Sequence, residues 1–448
     1  MKEFENNNMD IHLLDDVFGI SRDVPLTYTQ RENLDEEFVE GLSRKKHIVV
    51  YGSSKQGKTC LRKNHLNDEE YIIIHCTNKF NISELNALIL KKAGFKITVS
   101  EKTTTSNKIT GTASGGVKFI AKLEIEGGYE GQVAKEVDQQ ELELDLADVN
   151  DIIKALQSVH FSRIIFLDDF HYLQKEVQND FAYALKSYFE HSKIIFVIVG
   201  VWLKENRLIS INKDLGGRVT SINADKWSDE DLYNVIDKGC KLLNIKLEED
   251  LIEEIINESY GNIYFVQEIC HRICKEFRIK STVLNDKEQY GYEEDGVYVF
   301  DDKDADTRFP VTKKFQVKAI SKNIINEHSG SYNSFLRRFA ASDDKTGYDL
   351  YRWIIYVLLN ISSSILEIGL EVSKIHELIL KKHPDGKNIN AGIFDKALNS
   401  IDALQLGESV IEYDDTNSQL NILDKGFVIW LAHQNKNELL NILNLPID

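Results

Sequence analysis

The chain is short of paired cysteines, of long apolar runs and of positive charge, and each shortage narrows what it can be. Its five cysteines, at 60, 76, 240, 270 and 274, include no C-x-x-C pair. An odd set of scattered thiols excludes a disulfide framework and points to a reducing, cytoplasmic setting. Cys270 and Cys274 stand one helical turn apart, a spacing expected of core residues rather than metal ligands. No apolar run reaches the roughly eighteen residues of a membrane span, and the N-terminus carries no signal-peptide core, so a soluble protein without a membrane partner is expected. With 54 basic against 72 acidic residues, the formal net charge is −18. That excludes a surface that binds nucleic acid everywhere, while leaving room for a local basic patch. No nuclease, protease or deaminase constellation is present, which assigns any effector chemistry to a separate partner protein.

What is present begins with Gly52-Ser53-Ser54-Lys55-Gln56-Gly57-Lys58-Thr59, a match to G-x-x-x-x-G-K-[ST] that follows the apolar run Ile48-Val49-Val50-Tyr51. The pattern is that of a phosphate-binding P-loop. Its glycines let successive N–H groups face an anion, Lys58 reaches the β- and γ-phosphates, and the Thr59 hydroxyl can ligate Mg²⁺. A helix starting near Lys58, with Cys60 in its first turn, adds its N-terminal partial charge to the same anion. The lead-in carries Tyr28 and Arg31. In P-loop ATPases such a segment covers the base, which makes both residues candidates for holding adenine; the alternative is a packing segment.

Further along, 161–167 is a hydrophobic strand ending in Asp168-Asp169, where a P-loop fold needs its metal-binding acid. Asp168 would hold Mg²⁺ and Asp169 would polarise the attacking water. No guanine-specifying N-K-x-D follows, which favours ATP. Strands expected at about 48–51, 71–76, 163–168, 194–199 and 219–222, separated by helical segments, make an α/β doubly wound parallel sheet. The alternation breaks between 96 and 144, where Thr, Ser, Gly and alternating residues predict an inserted β-hairpin.

From residue 228 the pattern is helical. An acidic loop (286–308) follows, then a locally basic helical stretch with Lys313, Lys314, Lys318, Lys322, Arg337 and Arg338, which reads as a solvated face or a phosphate-backbone contact. Three helices and two strands over 347–435 describe a winged helix. Its third helix carries Asp395, Lys396 and Asp402, few of the donors that read bases, so packing or regulation is as fitting a role as DNA reading. The expected organisation is a lead-in (1–45), a P-loop core (46–226), a helical lid (227–280), a linker (281–346) and the winged helix (347–448).

This order resembles the AAA+ ATPases, in particular the branch shared by archaeal replication initiators and the STAND signalling ATPases. The resemblance covers about residues 20–430. It implies nucleotide-contacting residues at Lys58 and Thr59, a metal-binding acid at Asp168, and at Arg218 the arginine that completes a neighbouring subunit's active site, hence a homo-oligomer. Three positions depart from it. Asp169 stands where Glu is usual, which implies slow hydrolysis. The strand ending at Val199-Gly200 lacks a polar sensor, with Asn206 nearby. In the lid motif Gly261-Asn262-Ile263-Tyr264, Tyr264 stands where an arginine would contact the γ-phosphate, and Arg272 lies two turns later. The run Asp168-Asp169-Phe170-His171 is similar to bacterial stand-alone ATPases of anti-phage defence or mobile-element systems; His171 itself reads as a structural histidine. The hairpin insert resembles channel-facing inserts of AAA+ rings, with Lys108, Lys118 and Lys122 as candidate contacts to a strand.

Two functions follow. One is a Mg²⁺-dependent ATPase acting as an oligomeric switch on an effector. The other is an ATP-gated DNA-binding initiator, loader or transposition-type regulator.

Overall fold

Apolar strands alternate with amphipathic helices to build a five-stranded parallel sheet. The structure, a computed structural model, describes residues 10–19, 23–99, 118–123, 142–203, 206–284, 292–294, 297–299, 308–311, 316–405, 410–415 and 417–447. These gather into two units, one of residues 32–52 and 61–223, the other of 1–31, 53–60 and 224–448.

In the sheet unit, α1 (Glu32–Ser43) leads into β1 (His47–Tyr51), and α2 (Lys58–His65) precedes β2 (Tyr71–His75) and α3 (Ile82–Lys92). Helix α3 starts at a capping box in which Asn81 and Glu84 satisfy each other's backbone N–H. Three strands follow, β3 (Phe95–Val99), β4 (Lys118–Leu123) and β5 (Leu142–Asp145), then α4 (Val149–Ser158), β6 (Ile164–Asp168), α5 (Lys175–His191), β7 (Phe196–Val199), α6 (Arg207–Ile211) and β8 (Val219–Asn223). The parallel sheet runs β2-β6-β7-β1-β8. β1 and β7 are buried along their whole length, the pattern of central strands covered on both faces. The inserted hairpin carries a third strand: β4 pairs antiparallel with β3 on one side and β5 on the other. The flanking strands alternate apolar and polar residues but run for only five and four residues, so the alternation is too short to stand out. Of the residues assigned to this insert, Lys108 lies outside the described residues.

The turn after β7 is closely packed. Gly200 donates its N–H to Val50 O at 3.1 Å, and a Cβ placed on it would fall 1.6 Å from Cζ3 of the fully buried Trp202. Gly200→Ala should therefore lower the stability of this unit by about 2 kcal/mol through overpacking, read as an earlier midpoint in urea. An unchanged midpoint would mean that Trp202 swings aside without loss.

The second unit holds a helical lid of α7 (Asp229–Leu243), α8 (Glu249–Ser259) and α9 (Ile263–Glu276), with β9 (Ile245–Leu247) between the first two. The expected acidic loop contains an antiparallel pair, β10 (Tyr292–Glu294) and β11 (Val297–Val299). β12 (Phe309–Val311) then pairs parallel with β9. Helices α10 (Val317–Asn326) and α11 (Ser329–Ala340) bury one face each and leave Lys318, Lys322, Arg337 and Arg338 exposed. Lys313 and Lys314 lie outside the described residues.

The winged helix consists of α12 (Leu350–Asn360), α13 (Ser363–Ile368), β13 (Leu370–Glu371), α14 (Val372–Lys382), α15 (Ala391–Asn399) and the wing strands β14 (Ile411–Asp414) and β15 (Gln419–Ile422). β15 is the central strand of the three. Helices α16 (Lys425–His433) and α17 (Lys436–Ile442) close the chain. Trp430, fully buried, fixes α16 to α11 by donating Nε1–H to Ser329 Oγ at 2.9 Å. The structure adds α13 and β13 to the three helices and two strands expected, and α15, the helix in the expected reading position, leaves Asp395, Lys396 and Asn399 exposed.

Candidate phosphate-binding loop and its surroundings

β1 delivers the chain into the P-loop, and three residues of the loop have positive φ: Gly52 at 137°, Lys55 at 63° and Gly57 at 81°. Space does not demand glycine at 57, since a Cβ would meet only ordinary contacts at 3.9 Å; the backbone conformation does. Helix α2 begins at Lys58, so Lys58, Thr59 and Cys60 form its first turn. Lys58 donates from Nζ to the Ser53 carbonyl oxygen at 2.5 Å. Ser53 is held in turn by Asp225: its N–H donates to Oδ1 at 2.8 Å and its hydroxyl to Oδ2 at 2.7 Å. Ser54 and Lys55 are exposed, whereas Gln56 is fully buried and neither polar atom of its side-chain amide has a hydrogen-bond partner among the described residues.

Lys55 points its ammonium at the lid. Nζ lies 3.8 Å from the centroid of the Tyr264 ring. Although the residue as a whole is exposed, protein atoms around the ammonium partly desolvate it and push the Lys55 pKa down, while the carboxylates of Asp424 and Glu268 oppose that shift.

The lead-in residues are placed differently from each other. Arg31 is buried, donates to the Ala224 carbonyl at 2.8 Å and lays its guanidinium 4.1 Å from the centre of the Trp227 ring. Tyr28 is half-buried, and its carbonyl accepts from Lys238 Nζ at 2.7 Å.

In the sheet unit, Asp168 ends β6. Its Oδ2 lies 3.7 Å from His75 Nδ1, and its Oδ1 accepts the Asp169 N–H at 3.1 Å. Burial, together with the neighbouring charges of Asp168 and Asp169, pushes the Cys76 thiol up to about 12, so it stays protonated at neutral pH. Asp169 adopts the left-handed region at φ 56° and leads into the 3₁₀ turn Phe170–Tyr172, anchored by the fully buried Phe170. Asp enters that region more readily than Glu, so the shorter acid suits this backbone. His171 accepts the Val201 N–H on Nδ1 at 3.3 Å. Asn206, also left-handed at φ 58°, accepts from the Ser221 hydroxyl at 3.2 Å. Arg218 donates to Glu190 Oε1 at 2.8 Å and to the Asp214 carbonyl.

The P-loop and Asp168 follow strands of one parallel sheet. β1 and β6 are two positions apart in it, about 10 Å at the usual strand spacing. Both chain segments leave the sheet at its C-terminal edge, where α/β folds bind ligands. Sequence reasoning missed Asp225, Trp227 and Asp424. Their signal was weak: an acid, a tryptophan and another acid in connections without a motif. Tyr264 was noticed for what it replaces and not for its own contact. Arg272 is engaged by Glu268 at 2.9 Å and by Glu327 at 2.8 Å.

No known family profile matches the chain. Over 142 residues it is 30% identical to an uncharacterized protein of Thermotoga maritima; the match takes in 31% of this chain and 22% of that protein, so about a fifth of the relative's length is spanned. Among solved structures, the chain is similar to a Walker-type ATPase of Pyrococcus abyssi, with TM-score 0.50 and 12% identity over 93% of this chain and 99% of the other. Cdc6p of Pyrobaculum aerophilum aligns with TM-score 0.39 and 12% identity, over 94% of this chain and 99% of the other. The fold is an α/β one, with a five-stranded parallel sheet entering the P-loop and a C-terminal winged helix, and it is shared with that Walker-type ATPase. No helix among the described residues is long and apolar enough to cross a membrane.

Proposed function

We propose that the chain binds ATP on the loop 52–59, hydrolyses it slowly, and serves as an oligomeric switch for a separate effector protein. The observation that carries this reading is the loop's own geometry: positive-φ glycines at 52 and 57 and a helix opening at Lys58. That arrangement gathers a side-chain cation, a hydroxyl and helix N-terminal amides, the groups a triphosphate needs.

Thr59 and Asp168 are assigned to Mg²⁺, each as a hard oxygen donor of the kind that ion takes. When bound, the ion would supply charge neutralisation on the phosphates. Asp169 is assigned to orienting the attacking water. Its side chain is one methylene shorter than Glu, which supports slow turnover. Arg218 is assigned to a neighbouring subunit's nucleotide, and Tyr28 and Arg31 to the base, with Arg31 acting through the Trp227 ring that it covers.

The test is particle mass with Mg²⁺ and either ADP or a non-hydrolysable ATP analogue, with phosphate release measured in parallel for wild type and Asp168→Asn. The switch requires analogue-dependent growth to a defined oligomer, and hydrolysis that falls by about 100-fold in the variant while the analogue still binds. One unchanging species sinks the switch, and equal hydrolysis in the variant sinks the assignment of Asp168.

One observation favours the initiator-like alternative, in which ATP gates DNA binding: Lys318, Lys322, Arg337 and Arg338 are all exposed on α10 and α11. That reading requires DNA affinity that falls steeply with salt.

A further inference from the structure

We propose that Lys55 is a cation shared between the P-loop and the lid: its ammonium latches α9 through the face of Tyr264, and a triphosphate in the loop competes for the same ammonium, so nucleotide binding loosens the lid. This deepens the ATP-binding reading above and rests on it.

The contact joins residues from three segments. Lys55 is the middle residue of the loop and sits in the left-handed region, a conformation that a lysine rarely adopts without support. Its ammonium meets the Tyr264 ring at 3.8 Å, well inside cation–π range. Tyr264 is fixed at the start of α9, where its N–H donates to the Asn262 side chain at 3.0 Å. One turn along the same helix stands Glu268, and Arg272 braces that carboxylate at 2.9 Å. Asp424 comes from the winged-helix side. It caps α16 by accepting the Gly426 N–H at 2.8 Å and also accepts the Tyr332 hydroxyl at 3.0 Å. The next residue, Lys425, donates to the Gly261 carbonyl of the lid motif at 3.3 Å. The ammonium thus sits against one aromatic face, with the charges of two fixed acids nearby.

The chemistry follows from having one ammonium and two claims on it. Tyr264 offers a π-face, and the phosphates offer charge-assisted hydrogen bonds, which are stronger. If Lys55 turns to the phosphates, Tyr264 loses its partner and Glu268 and Asp424 lose a neighbouring positive charge. The lid and the start of α16 are then held less firmly. Linkage makes the effect reciprocal: weakening the lid contact must strengthen nucleotide binding by the same factor.

The experiment measures equilibrium binding of a non-hydrolysable ATP analogue with Mg²⁺ to the full chain, and amide hydrogen exchange over 261–268 and 425–433. The variants are Lys55→Met, Tyr264→Phe and Tyr264→Leu. Tyr264→Leu should tighten the analogue about fivefold, whereas Tyr264→Phe, which keeps the ring face, should leave its affinity unchanged. In the Lys55→Met background, Tyr264→Leu should have no further effect. The analogue should speed exchange in both segments of wild type, and Lys55→Met should show that faster exchange with or without it. The proposal is overturned if leucine and phenylalanine at 264 behave alike, or if the leucine effect survives in Lys55→Met. Absence of analogue binding in wild type defeats the ATP reading itself; binding that ignores Tyr264 defeats only the latch.

Discussion

Lys58→Ala is expected to weaken ATP binding by roughly 100-fold and to reduce hydrolysis to background. A charge-assisted hydrogen bond to phosphate is worth about 1.5–3 kcal/mol, and one ammonium can make more than one. The side chain is only half-buried, so the fold should tolerate its loss. Thermal unfolding with and without ATP separates the two effects. Saturating ATP should stabilise wild type by about 2.7 kcal/mol at 100-fold excess over Kd and the variant hardly at all. Equal stabilisation of both proteins would remove Lys58, and with it the loop, from nucleotide binding. The Asp225 clasp on Ser53 should persist in the variant, because it involves no atom of Lys58.

The sheet, the lid and the winged helix were readable because each is written in local periodicity. β1 and β7 are unbroken apolar runs, and α7 begins at a Ser228–Asp231 capping box that the residues 228–231 announce. The loop was readable because its glycines and lysine are fixed by spacing alone. What surrounds it was not. Ser53 and Asp225 are 172 positions apart, and Lys58 lies on the same short stretch as Ser53 but announces nothing about position 225. Arg31 reads as a candidate for the base because it is a cation near a P-loop, yet its guanidinium lies on Trp227, 196 positions away in sequence terms set only by the fold. Asp424 caps α16, a role that spans only two residues of sequence. That the same acid also lies near the charge of Lys55 depends on the packing of α16, which no periodicity encodes. The third strand of the insert was hidden for a related reason: β5 is four residues long, and its partner β4 is distant in sequence.

Arg218 carries the second large expectation. In an oligomer, Arg218→Ala should cut the hydrolysis rate by about 10³-fold at concentrations that favour assembly, the scale of an arginine supplied to a transferring phosphate by a neighbour. Nucleotide affinity of the dilute chain should be unchanged. The structure sharpens what the residue must do. Its guanidinium bonds Glu190 at 2.8 Å, and Lys186 pairs with Asp214 at 2.6 Å beside it, so the arginine stands in a network of alternating charge at the C-terminal end of α5. Both partners of the Arg218–Glu190 pair are about one-third exposed, so the pair itself is worth little to stability, and its loss should not unfold the sheet unit. Glu190→Gln provides the internal comparison. It keeps a hydrogen-bond acceptor for Arg218 but removes the charge that holds it, freeing the guanidinium for a neighbour's phosphate. Hydrolysis in the assembled state should then match or exceed wild type while Arg218→Ala fails. If the two variants lose activity together, Arg218 and Glu190 act as a structural pair; if neither changes the rate across a concentration series, no neighbour's nucleotide depends on this arginine.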